Sequence, residues 1–291
     1  MCSLLAVSTA DAAKKKLLMK PKYDPEAPKV GLFEGMDQNA ISVQVVAKNA
    51  MEGALLVENL TDQPLTVEMP QAIVGVQVLP QFGGGFGGGG MGGGMGGMGG
   101  GMGGMGGGMG GMGGGNQSFG GGGMGGMGGG MGGMGGGMGG MGGGMGGGGG
   151  FFSVPPETIA RVTYQSVCLE HGKPEPRPKL TYKLIRPEDY QDNPALHELL
   201  KLVSAGQVDK TAAQAAAWHL SSKMSWQELA AKTIDHVNAP DEPYFHPRAL
   251  YLAQAIVAES HKRAEAAASE QGERDHERPP LKGRVAQEVA R

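Results

Sequence analysis

Fourteen methionines in one glycine-rich tract offer the most distinctive chemistry of this 291-residue chain. Residues 83–150 contain these methionines together with 49 of the 57 glycines and no charged residue. Seven run from Met91 to Met112 and seven from Met124 to Met145, at alternating spacings of three and four. Thioether sulfur is a soft ligand that suits Cu(I). Met91 through Met145 are therefore candidate exchanging Cu(I) ligands.

The glycine content of the tract limits what this spacing can build. A seven-residue repeat is typical of a coiled coil, but each helical glycine costs about 1 kcal/mol relative to alanine. The tract is therefore predicted to be a disordered, flexible loop. Three roles stay open for it: a repeat expansion without a specific role, an adaptable spacer that contacts partners through thioethers, and soft-metal binding.

Two short patterns carry other residue types that could ligate metals or catalyse reactions. Cys168 and His171 form a C-x-x-H pair, which supplies two ligands only. A packed cysteine beside an exposed histidine is the favoured interpretation. His197 and Glu198 begin like a zincin helix, but Lys201 stands where the second histidine is required. The sequence therefore predicts no catalytic residue, no cofactor-binding residue and no metal site.

Residues 209–232 have the approximate spacing of a helix-turn-helix, which could read DNA. The second helix, 226–232, carries one lysine and one glutamate, fewer groups than phosphate and base contacts need. The formal net charge of −3 and the aromatic content of 5% also argue against nucleic acid. Trp218 and His219 are either a binding pair or, in the case of Trp218, part of a small core. The expected partner is an unidentified protein.

Residues 1–12 resemble the last part of a secretory signal. A short apolar run leads to Ala10-x-Ala12, which fits the small-residue rule for cleavage. We expect an exported protein, periplasmic or extracellular, with a cytoplasmic protein as the alternative. Cleavage would remove Cys2, leave Cys168 alone and preclude an internal disulfide. No run of about 18 apolar residues is present, so no membrane span is predicted.

Period-two alternation predicts antiparallel strands on both sides of the glycine-rich tract. Residues 13–36, rich in lysine and proline, are predicted to be an extended tether. Residues 37–190 are predicted to form one Ig-like, antiparallel β-sandwich, with 83–150 inserted in a single surface loop. Lengthening a loop costs little free energy. Deletion of 83–150 is therefore expected to leave the fold nearly as stable.

One long strand after the tract has two apolar faces, which is typical of a central position in a sheet. Its first face consists of Ala160, Val162, Tyr164, Ser166 and Cys168. Its second face consists of Ile159, Val167 and Leu169.

From 191 to 262 the apolar period becomes helical and predicts a small helical bundle. Asn193, Asp209 and Ser225 are predicted N-caps. In the last helix, Leu252 and Ile256 share a line beside the row of Ala249, Ala253 and Val257. Residues 263–291, rich in alanine and charge, are predicted to be a disordered tail.

Three segments, 166–174, 214–220 and 224–229, resemble uncharacterised exported bacterial proteins that combine a β-sandwich with a short helical module. The resemblance implies export and this architecture, and it implies no activity or site residue. From the sequence we predict a non-enzymatic, exported structural or protein-interaction module with a flexible spacer. A methionine-rich Cu(I)-binding protein is the alternative, and an uncharacterised hydrolase is the remote one.

Overall fold

The computed structural model describes residues 15–78, 117–123, 150–236 and 240–277. The strands in these ranges are β1 (Lys16–Leu18), β2 (Lys29–Gly31), β3 (Ile41–Ala47), β4 (Glu52–Asn59), β5 (Leu65–Glu68), β6 (Ile73–Gln77), β7 (Ser118–Gly122), β8 (Phe151–Val154), β9 (Thr158–Cys168), β10 (Tyr182–Ile185), β11 (Thr233–Ile234) and β12 (Glu242–Pro243). The helices are α1 (Leu32–Asp37), α2 (Pro187–Tyr190), α3 (Pro194–Ser204), α4 (Lys210–Ser221), α5 (Trp226–Ala231) and α6 (Pro247–Glu277).

One large sheet dominates the β-part of the molecule. Its strands follow the order β10-β6-β7-β9-β4-β3 with antiparallel pairing, and β1 lies parallel to the start of β9. β10 and β3, the two ends of this order, contact each other, so the sheet nearly closes into a barrel. The predicted mainly antiparallel fold with a helical region after it is confirmed. The Ig-like sandwich is not confirmed, because the large sheet curls on itself.

A smaller sheet, in the order β2-β5-β8, packs against the inner side of the barrel. Val67 on β5 and Phe152 on β8 are fully buried and join the same apolar cluster as the barrel residues Leu55 and Val162. The β-part therefore has one continuous core that both sheets share.

A second core lies on the outer side of the barrel, under the helices. Val167 and Leu169 of β9 pack there with Leu199 and Leu200 of α3, while Tyr164 points into the inner core. The two apolar faces predicted for this strand are confirmed. Its central position is confirmed too, since β9 pairs with β4 on one side and with β1 and β7 on the other.

β7 corrects the prediction of a single loop over 83–150. Residues 118–122 form a buried strand between β6 and β9. Phe119 fills the inner core, and Gly120 lets α3 approach, since a Cβ there would lie 2.6 Å from a Leu200 methyl carbon. The rest of the tract, including Met91 through Met112 and Met124 through Met145, lies outside the described residues.

The predicted tether also contains ordered elements. Within 13–36, β1 extends the large sheet beside β9, β2 pairs in parallel with β5, and most of α1 follows. β1 fits there because β9 is eleven residues long and β7 pairs only with its final part. Lysine and proline content predicted an extended chain but did not reveal these strand partners. Residues 1–12 lie outside the described residues.

The helical region follows the predicted caps. The side chains of Asn193 and Asp209 accept the backbone N–H of Leu196 and Ala212, and Ser225 forms a capping box. The prediction that disorder starts at residue 263 is wrong for 263–277, because α6 continues to Glu277. Alanine, glutamate and arginine, which favour helix, dominate this extension. Residues 278–291 lie outside the described residues.

Candidate functional site

The C-x-x-H pair does not act as one site in the structure. Cys168 is buried, and burial raises the pKa of its thiol to about 11. His171 is exposed and packs its ring edge-on against Trp218, with 4.9 Å between the ring centroids. A thiol with this pKa is protonated at neutral pH and is a poor nucleophile or metal ligand. Among the described residues, no group of three or more His, Cys, Asp or Glu side chains could hold a metal ion.

The zincin-like residues lie on the outer side of α3. His197 Nε2 is 2.7 Å from the carbonyl oxygen of Gln191, and Lys201 Nζ pairs with Glu198 at 2.6 Å. His197 and Lys201 line a cavity of about 270 Å³ together with Arg186. Local partners therefore hold the histidine and the lysine in this cavity.

Trp218 and His219 face different surroundings, so they do not form a binding pair. Trp218 packs against Tyr244 and Phe245 with centroid distances of 5.6 and 5.7 Å, which completes a small core as the alternative interpretation has it. His219 stacks on Trp226 at 4.2 Å. Lys232 Nζ lies 5.0 Å from the centroid of the Tyr244 ring, a cation–π contact that covers this cluster.

Within the part of the chain that the structure describes, the surface of α6 is the best candidate for a binding site. Tyr251 is 73% exposed and is the most exposed large hydrophobic side chain there. Leu252 beside it is 36% exposed. Large exposed apolar side chains that adjoin grooves mark interaction surfaces more often than scattered single ones do.

Two apolar grooves flank this pair of residues. The larger, about 390 Å³, lies between α6 and the loop after α3 and is lined by Leu202, Gln207, Val208, Asp209, Leu252, Ala255, Ile256, Glu259 and Arg263. The smaller, about 330 Å³, is lined by Ala230, Pro243, Phe245, Pro247, Leu250, Tyr251 and Gln254. We call the surface formed by these two grooves and by Leu250, Tyr251, Leu252 and Ile256 the α6 face.

Helical spacing explains how one helix serves the core and both grooves. Ala253 and Val257, four residues apart, face the outer core. Leu252 and Ile256 have the same spacing one residue earlier, and their row lines the larger groove. The sequence placed Leu252 in a line of apolar residues but did not show that it is exposed among the described elements. That information depends on how far α3 and its following loop extend.

Charges at the larger groove are balanced within the protein. Glu259 and Arg263 pair at 2.8 Å, and this hydrogen bond lowers the pKa of the Glu259 carboxyl. The Asp209 carboxylate is occupied as the N-cap of α4. The polar rim around an apolar centre resembles the anatomy of protein–protein interfaces.

Comparison of the chain with protein-family models, with curated proteins and with solved structures finds no match. The resemblance to exported bacterial proteins therefore stays a prediction. Among the described residues, no helix combines the length and apolar character that a membrane span requires.

Proposed function

We propose that the protein is a non-enzymatic protein-interaction module that binds its partner through the α6 face. The observation that carries this proposal is the exposed pair Tyr251 and Leu252 between two apolar grooves. Tyrosine is enriched among the residues that dominate binding energy at interfaces. Tyr251 lies at the centre of this surface, where such residues concentrate.

The partner that fits the α6 face is an amphipathic helix. Leu252 and Ile256 present one row along α6, and Leu250 and Gln254 present another. A helix laid along α6 would place its own apolar residues, spaced by three and four, into the grooves. Both grooves are open, and the charged residues among their described linings, Asp209, Glu259 and Arg263, already have partners within the protein. This favours an apolar helical segment over a small charged ligand.

The chemistry of the described residues supports a role without catalysis. The Cys168 thiol is buried with a raised pKa, and His171 and His197 each contact structural neighbours rather than a nucleophile. Export and a spacer role for the glycine- and methionine-rich tract are part of the same proposal. They rest on residues 1–12 and 83–150, most of which lie outside the described ranges.

Selection of helical peptides on the full chain tests the proposal. A phage library of helical peptides should yield binders with apolar residues spaced by three, four and seven. Tyr251→Ala should weaken the selected peptides about 30-fold, the equivalent of about 2 kcal/mol for an interface hot spot. Leu252→Glu should abolish binding, because it buries a charge in the groove.

Leu60→Glu is the matched control, since Leu60 is 49% exposed and lies in the loop after β4. It should leave peptide affinity unchanged. Selected peptides without helical spacing, or peptides that bind Leu252→Glu as well as the unmodified protein, would contradict the proposed site.

A further inference from the structure

β7 is an internal strand with long connections on both sides. Residues 79–116 separate it from β6, and residues 124–149 separate it from the segment that leads into β8. β6 and β7 pair antiparallel, with Val76 opposite Ser118, so their connected ends lie about 5 Å apart. A hairpin needs two to five residues to make this connection. The chain has 38 residues there, far more than the topology requires.

The place that β7 occupies is a specific slot. Phe119 stacks on Tyr164 with 5.2 Å between centroids and contacts Tyr182 edge-on at the same distance. Gly75 on β6 makes room for the ring, because a Cβ there would lie 2.2 Å from Phe119. The backbone of β7 also pairs with β6 and β9 along both edges. The slot therefore selects a strand with phenylalanine at one position and glycine after it.

Glycine at the end of β7 tightens this selection. Gly123 has a φ of +84°, and a Cβ there would lie 2.3 Å from the carbonyl oxygen of Ser204. At the start of β7, the Glu170 carboxylate accepts the Ser118 N–H and also the hydroxyl of Tyr190. Both ends of the strand are thus recognised by residues outside it.

An internal strand can enter the slot of another molecule only when both of its flanks are long. At about 3.3 Å per residue, the 26-residue flank can span about 85 Å and the 38-residue flank about 125 Å. Both lengths exceed the diameter of a small domain, about 30 Å. The flanks of β7 therefore permit it to reach a second copy and return.

We propose that two copies of this chain exchange β7, so that each strand completes the barrel of the other copy. The exchanged dimer keeps every contact of Phe119 and both edges of pairing, because the slots are identical. The long connection lowers the preference for the chain's own slot about 30-fold relative to a four-residue hairpin, by the logarithmic closure rule. Exchange uses the inner core of the barrel and goes beyond the role proposed for the α6 face.

Refolding at two protein concentrations tests the exchange on the full chain. Tethered strands have effective concentrations near 1 mM, so we expect the dimer fraction to rise about tenfold or more between about 5 and about 500 µM. Light scattering after size exclusion measures it. A variant with 79–116 shortened to four residues pins β7 to its own β6. This variant should stay monomeric. A dimer fraction equal to that of the unmodified chain would overturn the proposal. So would an unmodified chain that stays monomeric at both concentrations.

Complementation identifies the exchanged strand. Phe119→Asp leaves a slot without a usable strand, and Gly75→Leu leaves a usable strand without a slot. Co-refolded copies with different tags should form a heterodimer in which one barrel is complete. In the matched control, the double variant Phe119→Asp/Gly75→Leu replaces the Gly75→Leu copy. The double variant has neither a usable strand nor a usable slot, so the Phe119→Asp copy should not pull it down. Equal capture in both mixtures would contradict exchange of β7.

Discussion

Replacement of Phe119 by alanine tests the central place of β7 in the barrel. Phe119 is 1% exposed, stacks on Tyr164 and contacts Tyr182 edge-on. Loss of a buried phenylalanine costs about 3–5 kcal/mol, and aromatic pairs add about 0.5–1.5 kcal/mol beyond burial. We therefore expect a loss of about 4–5 kcal/mol, a large part of the 5–15 kcal/mol typical of a folded domain.

Thermal unfolding followed by near-ultraviolet circular dichroism measures this loss. At about 2–4 °C per kcal/mol for a domain of this size, Tm should fall by about 8–20 °C. Phe151→Ala is the matched control on β8, the next strand along the chain, where the ring is 37% exposed. The control should shift Tm by less than about 4 °C, since its loss is about 1 kcal/mol. Equal, small shifts in both variants would refute the assignment of β7 to the core.

Four further outcomes are expected. Deletion of 83–150 should abolish the cooperative thermal transition, whereas deletion of 83–114 and 126–147, which spares β7, should preserve it. A cooperative transition that survives deletion of 83–150 would favour the single-loop interpretation. In a Cys2→Ser background, Cys168 should react with iodoacetamide at pH 8 about 100-fold more slowly in the folded than in the urea-unfolded chain, because burial raises its pKa from 9.0 to about 11. Asn193→Ala should cost about 1 kcal/mol in urea unfolding through loss of the α3 cap, whereas the control Asp192→Ala, at an exposed neighbouring residue, should change the free energy of unfolding little. The full chain should withdraw no Cu(I) from a chromophoric chelator, and withdrawal that disappears when the fourteen tract methionines become leucine would establish copper binding instead.

The helices were the most predictable part of the fold because their signals are local. Asn193, Asp209 and Ser225 each accept the backbone N–H three residues ahead, so the sequence alone reveals each start. The two faces of β9 were predictable for a similar reason, since strand alternation is visible within eleven residues. Closure of the barrel between β10 and β3 depends on pairing across the whole β-part, which local patterns do not encode.

β7 escaped prediction because glycine carries no side-chain pattern. Among residues 118–122, only Ser118 and Phe119 carry side chains that show which face is buried. One signal was present: Asn116, Gln117, Ser118 and Phe119 interrupt the methionine repeat. The composition of the tract as a whole outweighed this interruption. The α6 face escaped prediction for another reason. Leu252 has the spacing of a core residue, and its 36% exposure depends on how the other described elements are placed around α6.

The position of β7 also determines where the two methionine groups attach to the barrel. The first segment leaves at Val78 and returns at Gln117, which lie at the same end because β6 and β7 are antiparallel. The second segment starts after Gly123, which lies against Ser204 at the end of α3. Leu202, two residues before Ser204, lines the larger groove. Five strand residues separate the two attachment points by about 17 Å. The second methionine segment therefore starts beside the end of α3 that borders the larger groove, whereas the first leaves and returns at the opposite end of β7.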